Sequence, residues 1–133
     1  MKSILLIDDD QICNFLNTKI LERMGFVNDI RIALNGKQAI DLFREYYIGI
    51  KPLPDIILLD LNMPVMDGFG FLDAFKSLNL QGKHSVKIII VSSSLNVNDI
   101  ARAKHSGANQ YLSKPISEQT LRRALEMCEE LVQ

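Results

Sequence analysis

Three short apolar runs constrain this chain more than any other feature in it. Residues 3–7 (SILLI), 55–59 (DIILL) and 86–91 (VKIIIV) are nearly continuous in Ile, Leu and Val. They lack the alternation of a strand that shows one face to water. Runs of this length, bounded by polar residues, are the pattern of strands buried on both faces of a parallel sheet. Residues 29–34 (DIRIAL) do alternate and read as a strand nearer a sheet edge. Residues 109–112 (NQYL), following Ser106-Gly107-Ala108, are a short fifth candidate.

Amphipathic segments fill the spaces between these runs. Ile12, Phe15, Leu16, Ile20 and Met24 fall on one helical face, and Gly25 supplies a C-terminal stop. Ala39, Phe43 and Tyr46 or Tyr47 mark a second helix, and Phe71, Leu72, Phe75 and Leu78 a third. A weaker fourth covers about 97–105, with Asn96 or Asn98 as N-cap. Leu121, Ala124, Leu125, Cys128 and Leu131 or Val132 make a fifth, opened by Ser117. Residues 49–54 (GIKPLP) and 79–85 (NLQGKHS) read as loops, since structure resumes immediately after each. Strands alternating with helices from end to end predict an α/β fold, a doubly wound five-stranded parallel sheet with helices on both faces. The common five-strand order is 2-1-3-4-5, the flavodoxin-like one.

Composition narrows the function classes. One hundred and thirty-three residues fit one compact domain, large enough to bury a core without disulfides or a structural metal. Fifteen basic against sixteen acidic residues leave a net charge of -1, with no electrostatic footprint for nucleic acid or an anionic membrane. The first apolar run stops at three aspartates, too short for a signal peptide, and no run reaches the length of a membrane span. Cys13 and Cys128 have no metal-ligand or redox spacing and read as small core residues of a reduced, cytoplasmic protein.

In a sheet of this order, ligands sit at the carboxyl ends of the strands, where the first and third lie side by side. The first strand runs out into Asp8-Asp9-Asp10 and the third into Asp60; the fourth ends in Ser92 and the fifth in Lys114-Pro115. Two carboxylates about 4.5 Å apart repel by roughly 4 kcal/mol at an effective dielectric of about 20. A cluster of three is hard to justify as scaffold unless a cation neutralises it. Mg²⁺ is the natural candidate, because it takes oxygen ligands and pairs carboxylates with phosphate. With Lys114 the site is then electrically balanced. The bland alternative, carboxylates that merely cap the turns before helices, suits Asp10 alone. A carboxylate beside Mg²⁺, an ammonium and a hydroxyl can attack phosphorus and become an aspartyl phosphate. The added charge and oxygens need new partners, which Ser92 and Lys114 can supply, and a hydroxyl drawn toward them would move its loop.

Residues 4–11 (ILLIDDDQ), 55–68 (DIILLDLNMPVMDG), 88–93 (IIIVSS) and 111–116 (YLSKPI) together resemble the receiver domain of two-component response regulators. The resemblance runs the length of the chain. It implies that Asp60 is the phosphoacceptor. It also implies that Asp9 and Asp60 bind Mg²⁺ directly with the backbone carbonyl of Asn62, and that Asp8 acts mostly through water. By the same resemblance Ser92 is the hydroxyl switch, Lys114 grips the phosphoryl group, and Tyr111 sits at an aromatic switch position. A half-buried core aromatic is the plainer reading of Tyr111. Lys114-Pro115 resembles the family's cis peptide, which would aim the lysine at the site. Asn62 and Ser94 lie where the family tunes phosphoryl lifetime. Ser94 has no carboxylate or amide to orient water, which predicts self-hydrolysis that is not among the fastest.

The expectation is therefore a single receiver domain over 1–133 without an output domain. It takes a phosphoryl group from a histidine kinase or histidine phosphotransfer protein and signals to a downstream protein or passes the group on. It is not an enzyme beyond catalysing its own phosphorylation and dephosphorylation. The implied signalling surface is the fourth helix, fifth strand and fifth helix. His84, His105 and the pair Arg122-Arg123 have no ligand-spaced company and read as surface residues. Met63-Pro64 and Asp67-Gly68 read as turn chemistry. A phosphatase of the haloacid dehalogenase type is a rival, since Asp60-Leu61-Asn62 superficially fits, but its nucleophile belongs on an early strand with the acid pair late. An FMN carrier would need a glycine- and hydroxyl-rich phosphate loop where this chain has three aspartates. A receiver that binds partners without phosphorylation is the third rival.

Overall fold

The computed structural model describes residues 2–25, 27–47 and 52–132. Its five strands are β1 (Lys2–Ile7), β2 (Val27–Ala33), β3 (Ile56–Leu59), β4 (Lys87–Ser92) and β5 (Gln110–Ser113). Alternating with them are α1 (Gln11–Met24), α2 (Gly36–Tyr47), α3 (Gly68–Ser77), α4 (Val97–His105) and α5 (Glu118–Val132). The strands form one sheet in the order β2-β1-β3-β4-β5, every pair parallel. That is the architecture expected from the three apolar runs, which became the central strands.

Period-two alternation splits each run between two cores. Leu5, Ile7, Ile57, Leu59, Ile88 and Ile90 face one way and pack with Ala39 and Phe43 of α2, Phe71, Leu72 and Phe75 of α3, and Ala103 of α4. Three rings anchor this side, with Phe43 edge-on to Phe75 at 5.2 Å and Phe71 stacked on Phe75 at 5.6 Å. Ile4, Leu6, Ile56, Leu58, Ile89 and Val91 face the other way, against Leu21 and Met24 of α1 and Leu121, Ala124, Leu125 and Cys128 of α5. Each fully buried Leu or Ile is worth about 2 kcal/mol over its exposed state, so neither face can be left uncovered.

The helix ends follow local chemistry. Asp10 caps α1 by accepting from the N–H groups of Ile12 and Cys13, and Gly25 closes it in the left-handed region at φ 80°. Asp67 caps α3 and Asn96 caps α4. Thr120 N–H donates to Ser117 Oγ at the start of α5. The segment read as a loop over 79–85 holds one 3-10 turn, Lys83–Ser85, and α3 ends at Ser77 with Leu78 as its cap. Lys83 Nζ donates to the carbonyls of Phe75, Lys76 and Leu78 at the end of α3. The other predicted loop, 49–54, lies outside the described residues as far as 51, and so do the side chains of Tyr46, Tyr47, Leu131 and Val132.

Two expectations need correction. The predicted buried face of α1 is wrong in its first half, because Ile12, Phe15 and Leu16 are 71%, 60% and 54% exposed, and the buried residues are Asn14, Leu21 and Met24. Asn14 points inward, its amide donating to the carbonyl of Asp8 at 2.8 Å, on the same helix face that buries Leu21 and Met24. Cys128 is a core residue as expected, whereas Cys13 sits half-exposed in the first turn of α1, its thiol donating to Asp10 Oδ2 at 3.4 Å.

Candidate phosphoacceptor site

Sheet register places the acidic residues. Ile7 of β1 pairs with Leu59 of β3, so the next residues, Asp8 and Asp60, leave the sheet side by side. Backbone bonds hold both at the strand ends: Asp60 N–H donates to the Ile7 carbonyl at 2.9 Å, and Asp8 N–H to the Ala33 carbonyl at 3.0 Å. Leu59 pairs with Ile90, which sets Ser92 one step beyond the level of Asp60. Ser92 in turn pairs with Ser113, and Lys114 N–H donates to the Ser92 carbonyl at 2.9 Å.

Carboxylate oxygens of Asp8, Asp9 and Asp60 lie within 4.8 Å of one another, with Asp8 and Asp60 buried and Asp9 exposed. Lys114 Nζ reaches between the buried two, 2.8 Å from Asp8 Oδ2 and 3.4 Å from Asp60 Oδ2. Its peptide bond to Pro115 is cis. Burial, and then the neighbouring charge of Asp8, push the Asp60 carboxyl above the usual range; Lys114 and the Asn62 N–H pull the other way and lose. Burial also works against the Lys114 ammonium, but its bond to Asp8 and the charges of Asp60 and Asp8 outweigh it and raise the lysine. Three hard oxygen donors against one ammonium leave the cluster short of positive charge, so its donor set fits a hard divalent cation.

The remaining predicted residues surround this cluster without touching it equally. Asn62 is exposed, and its N–H donates to Asp60 Oδ1 at 3.4 Å. Ser92 is fully buried and its hydroxyl oxygen accepts from the Ser94 N–H at 3.1 Å; among the described residues that hydroxyl makes no hydrogen bond to the side chain of Asp60 or Lys114. The Ser94 hydroxyl donates to Asp99 of α4 at 2.9 Å. Tyr111 is half-buried against the core, as the plain reading has it, and its hydroxyl also donates to the Ser94 carbonyl at 2.8 Å. His84, His105, Arg122 and Arg123 are exposed and take no part.

Four features of the site were not read from the sequence. A Cβ at Gly68 would stand 2.5 Å from the Asp60 carbonyl and 2.7 Å from Leu61 Cα, so this glycine is required by close backbone approach and not by its turn. Val65, in the same connection, holds φ at 69°, a left-handed conformation rare for a β-branched residue. Nothing in the sequence marks Asn14, although it holds the backbone of Asp8. The Ser94–Asp99 pair escaped because the two residues flank a helix cap whose geometry no spacing rule describes.

Comparison with known proteins agrees with the geometry. The sequence model of the response regulator receiver domain matches residues 4–126. The nitrate/nitrite response regulator protein NarL of Escherichia coli is 36% identical over 126 residues, which are 92% of this chain and 52% of that protein, so the chain spans about half of that relative. Protein PilH of Pseudomonas aeruginosa is 31% identical over 126 residues, 94% of this chain and 95% of that one. The crystal structure of a two-component response regulator from Cytophaga hutchinsonii superposes with a TM-score of 0.85 at 35% identity, covering 96% of each chain. With the fold, the strand-end acidic cluster and a match over nearly its whole length in agreement, the chain belongs to the response regulator receiver domain family of two-component signalling.

Proposed function

We propose that Asp60 accepts a phosphoryl group from a histidine kinase or histidine phosphotransfer protein, and that the modified domain signals by a changed surface or passes the group on. The observation that carries this reading is the shared position of Lys114 Nζ between Asp8 and Asp60 at the carboxyl end of the sheet. An ammonium placed there neutralises part of the charge a phosphoryl group brings and leaves one Asp60 oxygen as nucleophile. Asp8, Asp9, Asp60 and the Asn62 carbonyl would hold Mg²⁺, which when bound supplies a counter-charge for the phosphoryl oxygens.

The Asp60 carboxylate oxygen forms the new bond to phosphorus while the bond to the donor imidazole nitrogen breaks. The electron pair leaves with that nitrogen, which takes its proton from solvent. Lys114 keeps its hold on Asp8 and turns its remaining donors to the phosphoryl oxygens. Ser92 donates its hydroxyl proton to another of them, which requires the β4–α4 connection to move. Asn62 and Ser94 flank this event and set how long the group survives. A groove of about 700 Å³ runs from Lys114 between α1 and residues 115–116, lined by Leu16, Ile20, Pro115 and Ile116. Beside it the exposed Ile12, Phe15 and Leu16 offer an apolar face for the donor protein.

Incubation with acetyl phosphate and Mg²⁺, followed by intact-mass measurement, tests the assignment. One added phosphoryl group in wild type and none in Asp60→Asn or without Mg²⁺ is expected. Absence of any adduct on the folded wild-type protein sinks it, and release of inorganic phosphate from a generic phosphate ester would favour the phosphatase reading.

A further inference from the structure

The connection between β4 and α4 is held by an unusual set of bonds centred on Ser94. Its N–H donates to Ser92 Oγ at 3.1 Å, and its carbonyl accepts from Tyr111 Oη at 2.8 Å. Its hydroxyl donates to Asp99 Oδ2 at 2.9 Å and accepts from the Asn96 N–H at 3.3 Å. Asn96 is the N-cap of α4, with its side-chain oxygen accepting from the N–H groups of Asn98 and Asp99. In a capping box the acidic residue three places into the helix accepts directly from the N–H of the cap residue. Here Asp99 occupies that position, but the link passes through a third residue: Asn96 N–H to Ser94 Oγ, and Ser94 O–H to the Asp99 carboxylate. An aspartate, one methylene shorter than the usual glutamate, closes the box by way of the serine.

The relay has a consequence at the site. The first turn of α4 and residues 92–96 form one hydrogen-bonded unit, and Ser92 is its buried end. The Ser92 hydroxyl is held as the acceptor of the Ser94 N–H and makes no bond to Asp60. To reach a phosphoryl group on Asp60 it must draw Ser94 with it, and Ser94 is tied to α4 by a bond to an acidic side chain. Bonds to an ionised acceptor are roughly twice as strong as neutral ones. We propose that Asp99 is a positioning residue: acting through Ser94, it holds the Ser92 hydroxyl away from the phosphoacceptor and so limits the rate of phosphorylation. The proposal rests on the phosphoacceptor reading given above. It assigns no contact between Asp99 and the phosphoryl group or the metal.

The test is the initial rate of phosphorylation of the whole chain by acetyl phosphate in Mg²⁺, followed by intact mass. Wild type is compared with Asp99→Ala, Asp99→Asn, Ser94→Ala and the Ser94→Ala/Asp99→Ala double variant. Loss of one bond to a charged acceptor predicts a rate about 10-fold higher in Asp99→Ala. Ser94→Ala should be faster than wild type to a similar degree, and the double variant no faster than either single one. Asp99→Asn keeps a neutral oxygen for the Ser94 hydroxyl, about half the strength of the bond, and should fall between wild type and Asp99→Ala at about 3-fold above wild type, a graded order that a general loosening of α4 would not produce. Mg²⁺ affinity should be unchanged throughout, because Asp99 is not in the acidic cluster. Wild-type rate in Asp99→Ala, additive effects in the double variant, or an Asp99→Asn as fast as Asp99→Ala would each overturn the proposal while leaving the phosphoacceptor reading intact. No phosphorylation of wild type would remove that reading and this proposal with it.

Discussion

Replacing Asp60 with asparagine should stabilise the metal-free protein, because the buried carboxylate is held there against its own solvation. Asp8 and Asp60 oxygens lie within 4.8 Å, a repulsion of at least about 3.5 kcal/mol at an effective dielectric of about 20. The exposed Asp9, at the same limit but facing water, adds about 1 kcal/mol. Lys114 Nζ, 3.4 Å from Asp60 Oδ2, returns about 5 kcal/mol. At that limit the repulsions already offset the attraction to within about 1 kcal/mol, so the lysine leaves at least the burial cost of one carboxylate uncompensated. For a group at the mouth of the sheet that amounts to about 1–3 kcal/mol, and asparagine avoids most of it. At about 2.1 cal/mol/K of unfolding entropy per residue, the gain corresponds to a Tm rise of about 4–11 °C.

The pH dependence carries a definite sign. The folded-state pKa of Asp60 lies above its ordinary value of 3.8, so in the metal-free protein its contribution is most favourable below that value and is lost as pH rises through the raised pKa. The advantage of Asp60→Asn should therefore be full at neutral pH and shrink as pH falls toward 3.8. Urea denaturation followed by circular dichroism, in EDTA and across this range, reads both effects. With Mg²⁺ the wild type should gain more stability than the variant, since only it offers all three carboxylates. An asparagine variant less stable than wild type in EDTA at neutral pH, or a difference that does not change with pH, would falsify this account of the site.

Two further substitutions probe the same region. Lys114→Met removes the ammonium shared by Asp8 and Asp60 and should cost the metal-free fold about 3–5 kcal/mol, while isothermal titration calorimetry should show tighter Mg²⁺ binding; unchanged affinity would mean that the lysine does not offset the cluster's charge. Gly68→Ala forces a methyl group against the Asp60 carbonyl and Leu61 Cα, two backbone positions that cannot swing aside. A loss of at least about 3 kcal/mol in urea denaturation is expected, and a loss under 1 kcal/mol would show that the β3–α3 connection yields.

The fold was legible because its signal is local and repeated. Three apolar runs with no polar interruption can be satisfied only between two helical layers, and period-two alternation alone sorts Leu5, Ile7, Ile57 and Leu59 from Ile4, Leu6, Ile56 and Leu58. The site was legible for a related reason. In a parallel sheet every strand's carboxyl end faces the same edge, so acids placed just past two neighbouring strands meet, and β1 and β3 are neighbours here. Asp8, Asp9, Asp60 and Lys114 could be grouped from sequence order plus topology, before any distance was known.

Three-dimensional packing decided what remained. Hydrophobic periodicity put Ile12, Phe15 and Leu16 in the core, but α1 buries the face of Asn14, Leu21 and Met24, with the Asn14 amide on the Asp8 carbonyl, and the three apolar residues face solvent. Periodicity records how apolar a face is and cannot record that one polar side chain has a buried carbonyl to satisfy. The need for glycine at 68 depends on how closely its backbone approaches the strand end at Asp60. The relay from Asn96 through Ser94 to Asp99 depends on the orientation of one hydroxyl. The layers thus follow from short-range pattern, and the acids that share an edge follow from it together with chain direction and the common strand order for such a sheet. The rotation of α1, the sharing of Lys114 and the coupling of Ser92 to α4 were settled in three dimensions, because Lys114 meets Asp8 from 106 residues away and the two nearer pairings turn on side-chain orientations that residue spacing does not encode.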